Sequence, residues 1–189
     1  MISLAVSNKN YMITFKFRTI ILLLLTLIAT QSSARALELS SRYATIQYES
    51  DDQLKKFNRE LLLGNISRLL RYKKSVTWQD EIKNKVDVIV ERVIVVLDMR
   101  PDELRFKLVL LPTEEDVQRV FETKYNQKAD YIAFYDPRDK AVYVSVNDIR
   151  TGVFAHELGH LIIDLYYGKT TPPKLHELMA QFVETHLMD

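Results

Sequence analysis

Apolar and polar positions follow two rhythms along the chain, and the switches between them mark out its elements. From Arg42 to Glu49 (RYATIQYE) β-forming residues alternate roughly with polar ones, which predicts a strand. Asp51 and Asp52 then offer a cap for a helical stretch through about Tyr72. A better-marked helix follows: Thr77 stands three residues before Asp80 as a variant capping box, and Ile82, Val86, Ile89, Val90, Val93, Ile94 and Leu97 recur at helical spacing until Pro101 closes it. Arg105–Leu111 (RFKLVLL) predicts a short apolar strand, and Pro112-Thr113-Glu114-Glu115 opens a further helix to about Tyr125.

Two more strands are expected at Tyr131–Tyr135 and Ala141–Val146. The residues between them, Asp136-Pro137-Arg138-Asp139-Lys140, favour a turn and make the pair a hairpin. Val142, Val144 and Val146 share one face of the second strand, and that face should be buried. Helices at about Ile149–Tyr167 and Lys174–Met188 complete the chain. No repeat, low-complexity tract or Pro/Gly/Ser-rich linker interrupts residues 37–189, so one domain is expected there, with an α+β fold.

The first 36 residues read differently. Lys9, Lys16 and Arg18 make a basic start with no acid before Glu38, an apolar run follows from Ile20 to Ala29, and Ala34-Arg35-Ala36 supplies a small-x-small cleavage pattern. This is the pattern of a secretory signal, with Leu37 as the mature first residue. The apolar run is about half of what a membrane-crossing helix needs, so a cleaved signal and no permanent membrane span are expected. With no cysteine for a disulfide or a lipid anchor, the mature chain is expected to be exported, periplasmic or secreted. Removing Lys9, Lys16, Arg18 and Arg35 from the 26 basic residues leaves 22 against 25 acidic ones, a net charge of −3 that gives nucleic-acid binding no support.

The chemistry gathers in the last two helices. His156-Glu157-Leu158-Gly159-His160 places two histidines four positions apart, one above the other on a single helix face. Two such imidazoles can share one tetrahedral Zn2+, whose catalytic form takes three protein ligands and a water. Glu157, beside the first ligand, is placed to take the proton of that water. Val153, Phe154, Leu158, Leu161, Ile162 and Leu165 cluster opposite, while Ala155 and Gly159 make a flank of small residues where another helix could approach closely. In the final helix Leu175, Leu178, Met179, Phe182 and Val183 form the expected apolar stripe, leaving Glu177, Gln181 and Glu184 opposite; this is a solvated face, or one from which Glu177 reaches the metal as third ligand. Asp164, four residues after His160, is a competing ligand or an orienting partner for a histidine. Tyr166, Tyr167, His176 and His186 are each candidate donors to an oxyanion.

The HELGH motif followed by Leu175-His176-Glu177-Leu178-Met179-Ala180 resembles the gluzincin metallopeptidases, the thermolysin-like group, in their minimal single-domain form. The resemblance implies a zincin-like α+β fold with a small mixed or antiparallel sheet, an HExxH active-site helix and a following Glu-bearing helix. It implies Zn2+ held by His156, His160 and Glu177, with Glu157 as catalytic base, Ala180 as a packing position and a peptide or protein as substrate. It also implies an edge strand along the cleft, here Ala141–Val146, that receives substrate backbone by strand addition. His176 stands where that group commonly has asparagine, and the gap from His160 to Glu177 is shorter than in its larger members. A non-catalytic zinc-binding module of the cell envelope, holding a protein partner in the same cleft, is the alternative reading.

Overall fold

A computed structural model describes residues 36–189, so the export signal expected over residues 1–36 falls, Ala36 apart, outside the described residues. The alternation around residues 42–49 forms β2 (Ala44–Tyr48), with Ala44, Ile46 and Tyr48 buried. A further strand precedes it: β1 (Leu37–Ser40) pairs antiparallel with β2 and is largely exposed, and its apolar-polar alternation spans only four residues.

The helix expected from Asp51 to about Tyr72 breaks in two. The Ser50 side chain accepts from the Gln53 N–H and caps α1 (Asp51–Glu60), whose Leu54 and Phe57 are buried. Leu61 then turns extended, Gly64 takes a φ of +48°, and Gly64–Tyr72 winds as a 3₁₀ helix. The α-helix ends where Leu61 turns extended, and Gly64, which enters the left-handed region without a Cβ clash, opens the tighter 3₁₀ helix three residues later. Thr77 and Asp80 do form a reciprocal capping box at the start of α2 (Trp78–Leu97), and Asp98 ends it in left-handed geometry. The remaining elements are β3 (Phe106–Leu111), α3 (Glu114–Tyr125, opened by a Thr113/Asp116 capping box), β4 (Ala133–Asp136), β5 (Ala141–Ser145), α4 (Thr151–Tyr167) and α5 (Pro173–His186).

The strands form one mixed sheet in the order β1-β2-β3-β5-β4, parallel at β2–β3 and β3–β5 and antiparallel at its two ends. The edge strand beside the cleft is therefore β4, not Ala141–Val146 as expected. A hairpin's turn does not say which arm joins the rest of the sheet. The pairing does: β5 lies between β3 and β4, and its Ala141, Val142 and Val144 are fully buried, as a strand flanked on both sides requires. Phe134 and its cross-strand partner Tyr143 stack at 4.7 Å and meet Phe121 of α3 on one face, while Tyr135 of β4 reaches α4 on the other.

β4 is pinned by Asp136, whose side chain is fully buried. It accepts from the Tyr125 hydroxyl at 3.1 Å and the Arg138 N–H at 3.0 Å, and it pairs with Lys124 Nζ at 2.9 Å and Arg138 Nε at 3.1 Å. Burial pushes this carboxyl up, but the hydrogen bonds from Arg138, Lys124 and Tyr125 outweigh it and hold the group well below the usual carboxylate range.

α4 packs beneath β4 and β5, and α5 packs on α4. Here the structure departs from the expected apolar stripe. Leu175, Leu178 and Phe182 are 48%, 53% and 47% exposed, and the residues buried are Ala180, Val183 and Leu187. The helix is rolled so that its small residue meets the small residue of α4: a Cβ added at Gly159 would lie 3.2 Å from Ala180 Cα and 3.5 Å from Val183 Cγ2. Close approach outweighs burial of the largest side chains. Arg92 of α2 ties down the end of α5 by donating from Nε to the Leu187 carbonyl at 2.9 Å. One continuous apolar cluster underlies these contacts, and among residues 36–189 no helix is long and apolar enough to cross a membrane.

Two outcomes follow for stability. Gly159→Val should overpack the α4–α5 contact and cost about 1–3 kcal/mol, measured as a lower thermal midpoint; an unchanged midpoint would contradict the close approach. Because the folded-state pKa of Asp136 is depressed, its contribution is present above pH about 4 and lost as pH falls. Asp136→Asn should therefore destabilise by about 3–5 kcal/mol at neutral pH and lose part of the wild-type decline in acid, as read from denaturation midpoints across pH.

Candidate metal centre

The amphipathic sequence of α4 orients its working face. Phe154, Leu158, Leu161 and Ile162 are fully buried, which turns His156, Glu157, His160 and Asp164 into a cleft of about 580 Å3. One helical turn apart, the rings of His156 and His160 lie 4.8 Å between centroids, with their Nε2 atoms 3.1 Å apart. α5 brings Glu177 over both rings: Oε1 lies 3.6 Å from His156 Nε2, and Oε2 lies 3.5 Å from His160 Nε2. Gln181 Nε2 donates to Glu177 Oε1 at 3.0 Å.

This geometry fits a tetrahedral cation. Donors about 2.0–2.1 Å from zinc at tetrahedral angles stand about 3.3 Å from one another. The two imidazole nitrogens, 3.1 Å apart, are close to one edge of such a tetrahedron, and one donor atom from each of His156, His160 and Glu177 lies within 4.8 Å of the other two. Two imidazoles and a carboxylate are also a donor set that leaves one position open. Burial, then the neighbouring His156 and His176, push the His160 ring down to about 3, so it is neutral at pH 7 with a lone pair to offer.

Glu157 stands beside this group. Its Oε2 accepts the Tyr135 N–H at 2.8 Å. Burial pushes the carboxyl up to about 7; the Tyr135 hydrogen bond opposes that rise, and the negative charges of Glu177 and Glu184 reinforce it.

The other sequence candidates divide. Asp164 does not face the Nε2 pair. Its Oδ1 lies 3.6 Å from His176 Nε2, and its Oδ2 accepts the Tyr135 hydroxyl at 3.4 Å. His176 lines the cleft with its Nδ1 2.6 Å from His160 Nδ1. Tyr166, Tyr167 and His186 do not line it: the two tyrosines pack edge to face on the surface, and His186 stacks on Phe182.

Two residues escaped the sequence reading as parts of the site. Glu184 brings Oε2 within 3.4 Å of His156 Nδ1, though off the line of a hydrogen bond, so that buried nitrogen has no aligned partner. Its signal was legible, since it lies seven positions after Glu177 on the same side of the helix. Tyr135 carried no such signal, because only the pairing of β4 with β5 brings it under α4.

In the metal-free protein the raised Glu157 carboxyl contributes stability that is fully present below its unfolded value of 4.5 and is lost as pH rises through about 7. Denaturation midpoints should fall across that window by an amount on the order of 2 kcal/mol and stay flatter in Glu157→Gln; parallel curves for the two proteins would contradict it.

No protein-family model matches this chain, and neither a curated protein nor a solved structure does.

Proposed function

We propose that the chain is an exported zinc metallopeptidase in which His156, His160 and Glu177 hold Zn2+ and Glu157 acts first as general base and then as general acid. The observation that carries this reading is the convergence of one donor atom each from His156, His160 and Glu177 within 4.8 Å of one another, beside the half-buried Glu157 carboxylate on the same helix face. Zinc held there would lower the pKa of a water in its open position to about 7 and polarise a scissile carbonyl.

Glu157 has the properties of a proton acceptor working near neutral pH, since its surroundings raise its affinity for a proton. It takes the proton from the attacking water and delivers it to the leaving amine. The Tyr135 N–H steadies one carboxylate oxygen during that exchange.

Substrate backbone would lie along β4. The Ser145 N–H bonds the Ile132 carbonyl, and Phe134 pairs with Tyr143, so the backbone groups of Ala133 and Tyr135 point away from β5. Glu157 already uses the Tyr135 N–H, which leaves both polar groups of Ala133 and the Tyr135 carbonyl for an extended peptide. Export rests on the basic start and apolar run before Leu37.

Metal analysis of the chain from Leu37, together with digestion of a peptide library, tests the reading. The expected result is one zinc per chain with peptide cleavage. Glu157→Gln should keep the zinc and lose at least about 10²-fold in turnover, and Glu177→Ala should weaken zinc binding by more than about 10-fold. Unchanged turnover in Glu157→Gln would reject the mechanism, and stoichiometric zinc without any cleavage would favour the non-catalytic module instead.

A further inference from the structure

A histidine that coordinates through Nε2 must carry its proton on Nδ1, and that N–H needs an acceptor to hold the ring in place. His160 Nε2 faces the His156 Nε2 and Glu177, so its proton belongs on Nδ1. The atom in front of that nitrogen is His176 Nδ1, 2.6 Å away, with the two rings only 15° from parallel. To accept, His176 must itself be protonated on Nε2, and this second N–H faces Asp164 Oδ1 at 3.6 Å. Asp164 is in turn held from β4 by the Tyr135 hydroxyl at 3.4 Å. His176 and Asp164 are each only 18% exposed, so water competes weakly for these contacts. His156 has no comparable support, since the nearby Glu184 carboxylate is out of line with its Nδ1.

On the reading of His156, His160 and Glu177 as zinc ligands, we propose that Asp164 acts on the metal centre through His176, whose ring bridges Asp164 to His160 and fixes the tautomer in which His160 offers Nε2 to the metal. His176 and Asp164 are thus positioning residues, and the helix after the motif supplies a second imidazole as well as a carboxylate. The donors converge on Asp164: His160 donates to His176, His176 turns its N–H to Asp164, and Asp164 also accepts from Tyr135.

The relay is tested by zinc affinity, measured through competition with a chromophoric chelator, in the full mature chain. His176→Leu removes the acceptor and should weaken binding 10–100-fold, the range for loss of an outer partner. His176→Asn places an amide oxygen where the ring Nδ1 stood, so it should recover most of that affinity while losing the reach to Asp164. Asp164→Asn should weaken binding several-fold in the wild type and leave the His176→Asn protein unchanged, because the two act in series. In the zinc-loaded wild type, the nitrogen resonances of His160 should report a protonated Nδ1 and a metal-bound Nε2.

Zinc affinity of His176→Leu within twofold of wild type would overturn the relay, as would an Asp164→Asn effect of equal size in both backgrounds or no rescue by asparagine. If His176→Leu fails to fold by circular dichroism, the asparagine and Asp164 arms decide the matter, since Asp164→Asn keeps side-chain volume and His176→Asn keeps a polar group against His160. A wild-type chain that binds no zinc would instead remove the metallopeptidase reading, and the relay with it.

Discussion

The contact between Gly159 and Ala180 governs the geometry of the site. With no side chain on one helix and a single methyl on the other, α4 and α5 come close enough that an added Cβ would stand 3.2 Å from the opposing backbone. At that separation His176, Glu177 and Glu184 all reach the imidazoles of α4. They do so together because residues seven or eight positions apart return to one side of a helix. A wider crossing would take the carboxylate out of reach of the histidines and leave a helix with two ordinary imidazoles.

Electrostatically the site is under tension without a cation. Burial raises Glu157, with Glu177 and Glu184 adding to the rise, and burial lowers His160, with His156 and His176 adding to the fall. Groups driven apart in this way mark places where charge is to be accepted or moved. The opposite holds at Asp136, where Lys124, Arg138 and Tyr125 satisfy a buried carboxylate completely. That cluster has no reactive group left over; its effect is to hold β4 so that Tyr135 presents its N–H to Glu157 and its hydroxyl to Asp164.

Much of the architecture was legible where local and global preferences agree. The Thr77–Asp80 box opens α2, and the Val142–Val144 face of β5 is buried. The readings that failed share one cause, which is that they rank side chains by size and polarity alone. The first long helix breaks at Leu61, whose extended backbone the apolar spacing does not mark, and resumes as a 3₁₀ helix from Gly64. β1 went unnoticed because its alternation, Leu37-Glu38-Leu39-Ser40, is only four residues long and largely exposed. The roles of the two hairpin arms were exchanged because pairing with β3 is not encoded in the turn.

The sequence by itself determined that two histidines and a glutamate share a helix face, because a 3.6-residue turn leaves no other arrangement for positions 156, 157 and 160. It also confined the acidic candidates to Asp164 and the residues of the last helix. Only the tertiary structure decided among them. It rolled α5 onto its small residues, exposing Leu175, Leu178 and Phe182 so that Glu177 faces the imidazoles, and it slid His176 between His160 and Asp164. The physical reason is that periodicity fixes angles around one helix axis, whereas the rotation of one helix against another is set by how closely their backbones can pack.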